Sequence, residues 1–159
     1  MDPTLSIVII TRNTRDLLRD LLRSIDKDEP LNPLVKEIVV IDNASTDGTE
    51  TMMREEFPYV VLIRNEENRG FAASANQGVS MCGGAYVLLL NSDTLLVKGE
   101  VTNMVRFMEG NPDVAICGPQ LVYGDMRPQR SFAYIPSLLF ELVPPSLLEF
   151  LMPEKYSVR

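Results

Sequence analysis

The chain has 159 residues, 45% of them hydrophobic, with 22 acidic side chains against 15 basic ones and no histidine. That is enough apolar material for one domain with a buried core. A formal net charge of −7 argues against nucleic acid as a partner, because such binding rests on basic patches that neutralise phosphates. An acidic protein that holds a diphosphate needs a cation, local backbone donors, or both. Zinc is not expected without histidine, since Cys82 and Cys117 are not spaced as a ligand pair. Both cysteines read as buried thiols in a reducing cytoplasm. Met1-Asp2-Pro3-Thr4 carries no basic region before the short run Leu5 to Ile10, so no signal peptide is expected. No stretch reaches the roughly 18 apolar residues of a membrane span.

In chain order, Leu5-Ser6-Ile7-Val8-Ile9-Ile10 predicts a buried parallel strand. Leu17, Leu18, Leu21, Leu22 and Ile25 then recur at helical spacing. Glu37 to Ile41 is the second strand and ends at Asp42. Asp47 and Glu50, three apart, signal the start of the next helix. Tyr59 to Ile63 predicts a third strand. Phe71, Ala75, Val79 and Cys82 predict one helical stripe, ended by Gly83-Gly84. Tyr86 to Leu90 is the fourth strand, and a helix follows with Val101, Met104, Val105 and Met108 inward. Val114 to Cys117 predicts a fifth strand.

Repeated β-α units of this length imply a doubly wound, Rossmann-like α/β fold with a mostly parallel sheet and right-handed crossovers. The pattern changes near Gly118-Pro119, which divides an α/β domain over 1–118 from a region over 119–159. In the latter, Gly124-Asp125 predicts a β-hairpin turn with Pro128 on an edge strand. Leu138 to Val143 and Leu147 to Met152 read as short apolar helices, the second with a Ser146–Glu149 capping box.

In open α/β sheets ligands bind beyond the carboxyl ends of the strands. The four exits are Thr11-Arg12-Asn13, Asp42 to Gly48, Asn65 to Gly70, and Asn91-Ser92-Asp93. All are polar and two carry an aspartate at the strand end, which a purely structural sheet does not need. No Gly-x-Gly-x-x-Gly follows the first strand and no P-loop occurs. A Gly-x-Ser-x-Gly elbow and a triad histidine are also absent, which removes the common hydrolase arrangement.

The residues that do occur carry a resemblance. They are Ser6 to Asn13, Val39 to Thr49, Asn68 to Gly78, and Leu88 to Asp93. Together, in this order and spacing, they resemble glycosyltransferase family 2 with its GT-A fold. Asn91-Ser92-Asp93, with Gln129-Arg130-Ser131-Phe132 and Pro136, looks most like the rhamnosyltransferase-type branch.

The resemblance implies a set of roles. Asp93 stands at the last position of the family's Asp-x-Asp motif and would hold Mg²⁺ or Mn²⁺. Asn91 replaces the first aspartate. In an extended segment the two point the same way, so both can face one ion that completes its shell with diphosphate oxygens and water. Asp42 matches the aspartate that recognises the nucleotide base, with Asn43 beside it; an Asx-turn is the structural alternative. Thr11 and Asn13 match the exit beside the nucleoside, although Asn13 equally suits a helix cap. Gly70 lets the backbone approach the ligand. Asn76 matches a helix asparagine of the family, and also suits a satisfied buried amide. Asp47 with Glu50 fits helix capping better than ligand contact. Arg127 and Arg130 either steady the diphosphate or lie on a solvated strand face.

The function implied is an inverting transfer of sugar from a UDP- or dTDP-linked donor to a hydroxyl of a glycan or lipid-linked acceptor, in cell-surface polysaccharide or glycan synthesis. None of Asp125, Glu141, Glu149 or Glu154 matches the family's acidic base motif, so the chain is expected to be the donor-binding part, stopping where an acceptor-binding half begins. The alternative is a catalytically silent nucleotide-sugar-binding module that works with a partner subunit. The tail carries Glu141 and Glu149 but no lysine or arginine between Leu138 and Met152. Docking against further protein therefore explains it better than an interfacial helix. A cytoplasmic location, peripheral contact with the inner membrane face, and homodimerisation complete the expectations.

Overall fold

A computed structural model describes residues 4–129. Its centre is a four-stranded, wholly parallel sheet in the order β3-β2-β1-β4. The strands are β1 (Leu5–Thr11), β2 (Val35–Asn43), β3 (Val61–Asn65) and β4 (Tyr86–Asn91). The helices are α1 (Arg15–Asp26), α2 (Thr49–Glu56), α3 (Phe71–Val79) and α4 (Glu100–Gly110). The predicted doubly wound α/β architecture is the one observed.

The chain winds outward from β1 through β2 to β3, then crosses back to place β4 on the far side of β1. The order therefore reverses between β1 and β4, where their carboxyl ends leave a crevice. All seven residues of β1 are buried because both faces of this strand are covered. On one face, Ile7 and Ile9 pack with Ile38 and Val40 of β2 under α1, α2 and α4. On the other, Val8 and Ile10 meet Ala75 of α3 and Cys82. β4 at the edge alternates instead, with Tyr86, Leu88 and Leu90 packed on the larger core and Val87, Leu89 and Asn91 exposed.

Several expected elements shift. Leu17 is exposed, and α1 buries Leu18, Leu21, Leu22 and Ile25. β3 starts at Val61 rather than Tyr59. Phe57 is buried, its carbonyl accepts from Val60 N–H, and the Tyr59 hydroxyl donates to Asp26. The strand then runs on to Asn65 because its ladder continues opposite Asp42 and Asn43. On α3, Phe71 and Val79 are exposed, and the packed face is Ser74, Ala75 and Gly78. A Cβ on Gly78 would lie 2.4 Å from a Val8 methyl. The helix sits on the sheet through its small residues rather than through the larger apolar ones.

No strand forms at Val114–Cys117, where Ile116 is 88% exposed and no ladder partner runs beside it among the described residues. Cys82 and Cys117 are half-buried free thiols rather than fully buried ones.

A second compact unit begins at Gln120. Its described part is a rudimentary hairpin with a Val122–Pro128 antiparallel bridge. Tyr123 N–H donates to the Arg127 carbonyl at 2.9 Å, and Gln129 N–H to the Leu121 carbonyl at 2.8 Å. Arg130, Ser131, Phe132, Pro136 and the expected apolar helices lie outside the described residues. Among the described residues, no helix is long and apolar enough to cross a membrane.

Candidate functional site

Two strands apart on the same edge of the sheet, Asp42 ends near the finish of β2 and Asp93 follows β4. Thr11 on the intervening strand is the register neighbour of Asp42, and Ile10 is that of Asn91. At the usual strand spacing, the two exits are about 10 Å apart.

Asp42 is fully buried. Its Oδ1 accepts from Ser45 N–H at 3.0 Å, the expected Asx-turn. Its Oδ2 is buried with no hydrogen-bond partner. Leaving a buried acceptor unpaired costs about 1–3 kcal/mol, so this atom is short of a donor.

The loops around it are laced together. Ser45 Oγ accepts from Asn13 N–H at 2.8 Å, and Asn13 Oδ1 accepts from Thr46 N–H at 2.8 Å. Asn13 therefore bridges the β1 and β2 exits rather than capping α1. Its φ of 52° is left-handed, which asparagine tolerates. Ala44 is also left-handed, with φ 57°, a strain stored beside Asp42.

Asn43 is buried, and its Oδ1 accepts from Asn65 Nδ2 at 3.0 Å and Ser74 Oγ at 2.8 Å. This ties the ends of β2 and β3 to α3. Ser74 is the buried polar anchor of that helix, whereas Asn76 is exposed. The buried-amide reading of Asn76 is thus corrected: the side chain two positions earlier faces the sheet. The signal for Ser74 was present in the run of small residues, but polarity alone did not distinguish it from Asn76. Gly70 caps α3 with φ 76° and ψ 167°, a conformation essentially confined to glycine. A Cβ there would meet nothing within 4 Å, so the space in front of it is open.

Asp47 joins two helix starts. Its Oδ2 accepts from Arg15 N–H at 2.8 Å, and its Oδ1 from the Thr49 hydroxyl at 2.6 Å and the Thr49 N–H at 3.2 Å. Burial works against its charge, but the Thr49 and Arg15 hydrogen bonds outweigh it and hold the pKa below the ordinary carboxylate value. Glu50 does not complete a capping box; it pairs with Arg54 and Arg64.

At the β4 exit, Ser92 is buried while Asn91 and Asp93 on either side are exposed. The strand ends at Asn91, and Ser92 and Asp93 lie in a turn, so the expected extended segment is shorter than three residues although exposure still alternates. Asp93 takes part in none of the ion pairs among the described residues. No cluster of three or more metal-ligating side chains occurs among them either. One exposed carboxylate and one exposed amide flanking a buried serine suit a hard divalent cation that draws its other ligands from phosphate oxygens and water. They do not form a closed protein cage.

Arg127 Nε is 2.6 Å from Asp125 Oδ2 on an exposed turn, in the solvated arrangement. A cavity of about 280 Å³ lies at the start of α1, lined by Asn13 to Leu17 and Asp47. It includes neither Asp42 nor Asp93, and it carries the Arg15 guanidinium beside the carboxylates of Asp16 and Asp47.

Known proteins are similar to this chain in fold and in sequence. Residues 6–156 match the Glycosyl transferase family 2 domain. The chain is 33% identical over 117 residues to abequosyltransferase RfbV of Salmonella typhimurium, covering 71% of this chain and 35% of that protein. It is 28% identical to UDP-Glc:alpha-D-GlcNAc-diphosphoundecaprenol beta-1,3-glucosyltransferase WfaP of Escherichia coli, over 65% of this chain and 41% of that one. The solved mannosyltransferase PcManGT of Pyrobaculum calidifontis, in complex with GDP-Man and Mn2+, superposes with a TM-score of 0.60 at 29% identity. That match covers 68% of this chain and 33% of the mannosyltransferase. The chain spans about a third of the length of the curated relatives it matches. With the domain match running from the first strand through nearly the whole sequence, the chain belongs to glycosyl transferase family 2.

Proposed function

We propose that this chain holds a nucleoside-diphosphate sugar along the carboxyl edge of its sheet, as the donor-binding part of an inverting glycosyltransferase in polysaccharide or glycan synthesis. The observation that carries the reading is the unpaired, buried Oδ2 of Asp42, two strands over from the β4 exit that presents Asp93. A ring N–H of a pyrimidine base, UDP- or dTDP-linked, is a donor suited to Asp42. Gly70 leaves open space over the start of α3, which lets the chain's own backbone approach the ligand. Thr11, Asn13 and Asn43 shape the walls through the hydrogen bonds they already make.

Asp93 would hold Mg²⁺ or Mn²⁺, with Asn91 beside it directly or through water. When bound, such an ion acts as a Lewis acid that neutralises the charge developing on the leaving diphosphate. The chain's own contribution is to fix both ends of the donor before reaction, which converts binding energy into orientation. The acceptor hydroxyl's proton requires a base, and the residues described assign none. Region 119–159 is proposed as the start of the acceptor side. The Asn91-Ser92-Asp93 form, together with Gln129 to Phe132 and Pro136, supports a rhamnosyltransferase-like branch.

Calorimetric titration with UDP and with dTDP, each with and without Mn²⁺, tests the proposal. The expected result is nucleotide binding that strengthens with the metal. Absence of binding by either nucleotide under both conditions overturns it.

A further inference from the structure

A chain of three hydroxyls crosses the crevice. Thr11 Oγ1 lies 2.8 Å from Thr14 Oγ1, which lies 2.8 Å from Ser92 Oγ. Its first member is the register neighbour of Asp42. Its last is the buried residue between Asn91 and Asp93. The middle hydroxyl can donate to one neighbour and accept from the other, so the three are satisfied together.

Thr14 is the N-cap of α1, yet its side chain makes no capping hydrogen bond. A threonine here ordinarily accepts from an N–H of its own first turn. In this fold it accepts from neither the Asp16 nor the Leu17 N–H; the first N–H of the helix, that of Arg15, donates to the distant Asp47 Oδ2 at 2.8 Å. The Thr14 hydroxyl reaches instead a residue 78 positions away. Local stability alone gives no reason for that exchange, because helix capping would use the same atom without help from a distant loop.

We infer that Thr14 is a positioning residue: it anchors Ser92 inward, so that Asn91 and Asp93 are turned outward together before a ligand arrives. This rests on the proposed role of Asp93, but the orientation it describes is a property of the ligand-free chain. Supporting groups of this kind typically change metal affinity by about 10- to 100-fold when removed.

The test compares Thr14→Val, which keeps shape and removes the hydroxyl, with Thr14→Ser, which keeps the hydroxyl. Two measurements are made on the full chain: the gain in UDP affinity produced by Mn²⁺, and the backbone amide NMR shifts of Asn91, Ser92 and Asp93 without ligand. In Thr14→Val the Mn²⁺-dependent gain is expected to fall about tenfold and the three amide resonances to move. Thr14→Ser is expected to restore both. Amide shifts that stay at their wild-type positions in a folded Thr14→Val chain overturn the inference. So does a Mn²⁺-dependent gain equal to wild type. Should wild type bind no nucleotide, the donor-site reading falls and the positioning role is judged on the NMR comparison alone. Ser92→Ala provides the second variant, cutting the same link from the other end with the same expected pattern.

Discussion

The two ends of the sheet use the same chemical parts to opposite effect. At the amino end, Glu37 Oε1 accepts from the Ser6 hydroxyl at 2.6 Å and from Gly83 N–H at 2.7 Å. Ser6 Oγ in turn accepts from Gly84 N–H at 2.9 Å, and Lys36 Nζ donates to the Gly83 carbonyl at 2.6 Å. At the carboxyl end, Asp42 Oδ1 accepts from the backbone N–H of Ser45, and its Oδ2 is buried without a donor among the described residues. Glu37 is only half-buried, so solvent reaches its second oxygen while the first anchors the chain. A carboxylate left short of a bond in a buried setting retains capacity for something else. On the proposed reading the difference gives structure to one edge and ligand capture to the other, in line with the general preference of open α/β sheets.

The comparison breaks most visibly at Asp93. Replacing it with alanine is expected to remove the Mn²⁺-dependent part of UDP affinity, beyond the about 100-fold that loss of a supporting group costs, as read by calorimetry. Next comes the paired exchange of Asp42→Asn and Glu37→Gln. Asp42→Asn should weaken nucleotide binding by about 10-fold or more, the worth of a charge-assisted hydrogen bond, with the thermal midpoint held or raised. Glu37→Gln should do the reverse, lowering the midpoint by about 3 °C and leaving nucleotide affinity alone. Identical behaviour of the two variants would erase the distinction between the edges.

Gly84→Ala sharpens the structural side. Its Cβ would sit 2.7 Å from the Ser6 backbone nitrogen and 2.8 Å from the Thr4 carbonyl oxygen. These are backbone atoms that cannot swing aside, so a loss of about 1–3 kcal/mol is expected in chemical denaturation.

Acid pH probes both edges at once. Hydrogen bonds from Gly83 and Ser6 lower the Glu37 pKa from its ordinary 4.5, and Asp47 is lowered from 3.8 despite burial. Because the folded values lie below the unfolded ones, the stability from these groups is fully present above about pH 4.5. It is lost as the pH falls through the ordinary range toward the depressed values. Glu37→Gln should flatten the upper part of that acid limb in a stability-against-pH series. The smallest effect is expected at Ala44. Ala44→Gly relieves a left-handed alanine, φ 57°, against the extra backbone entropy of glycine, for a net gain of about 0.5 kcal/mol. Thermal denaturation reads it.

The sequence by itself determined the alternation of strands and helices, the buried central strand, and the polar exits that converge on one edge. These follow from periodicity and from the position of polar residues at the ends of apolar runs, both local properties. It also carried the spacing of motifs that identifies the family. Tertiary structure alone decided which polar side chain meets which. Ser74 turns inward where Asn76 was the more conspicuous amide. Asn13 laces two loops, and Thr14 abandons its own helix for Ser92. The same holds for Leu17, Phe71 and Val79, whose helical spacing set their direction around an axis while the sheet met a neighbouring face. Val114 to Cys117 had the composition of a strand, but a strand exists only beside another, and no ladder forms there among the described residues. Periodicity states which way a side chain points; only the folded chain places something in front of it.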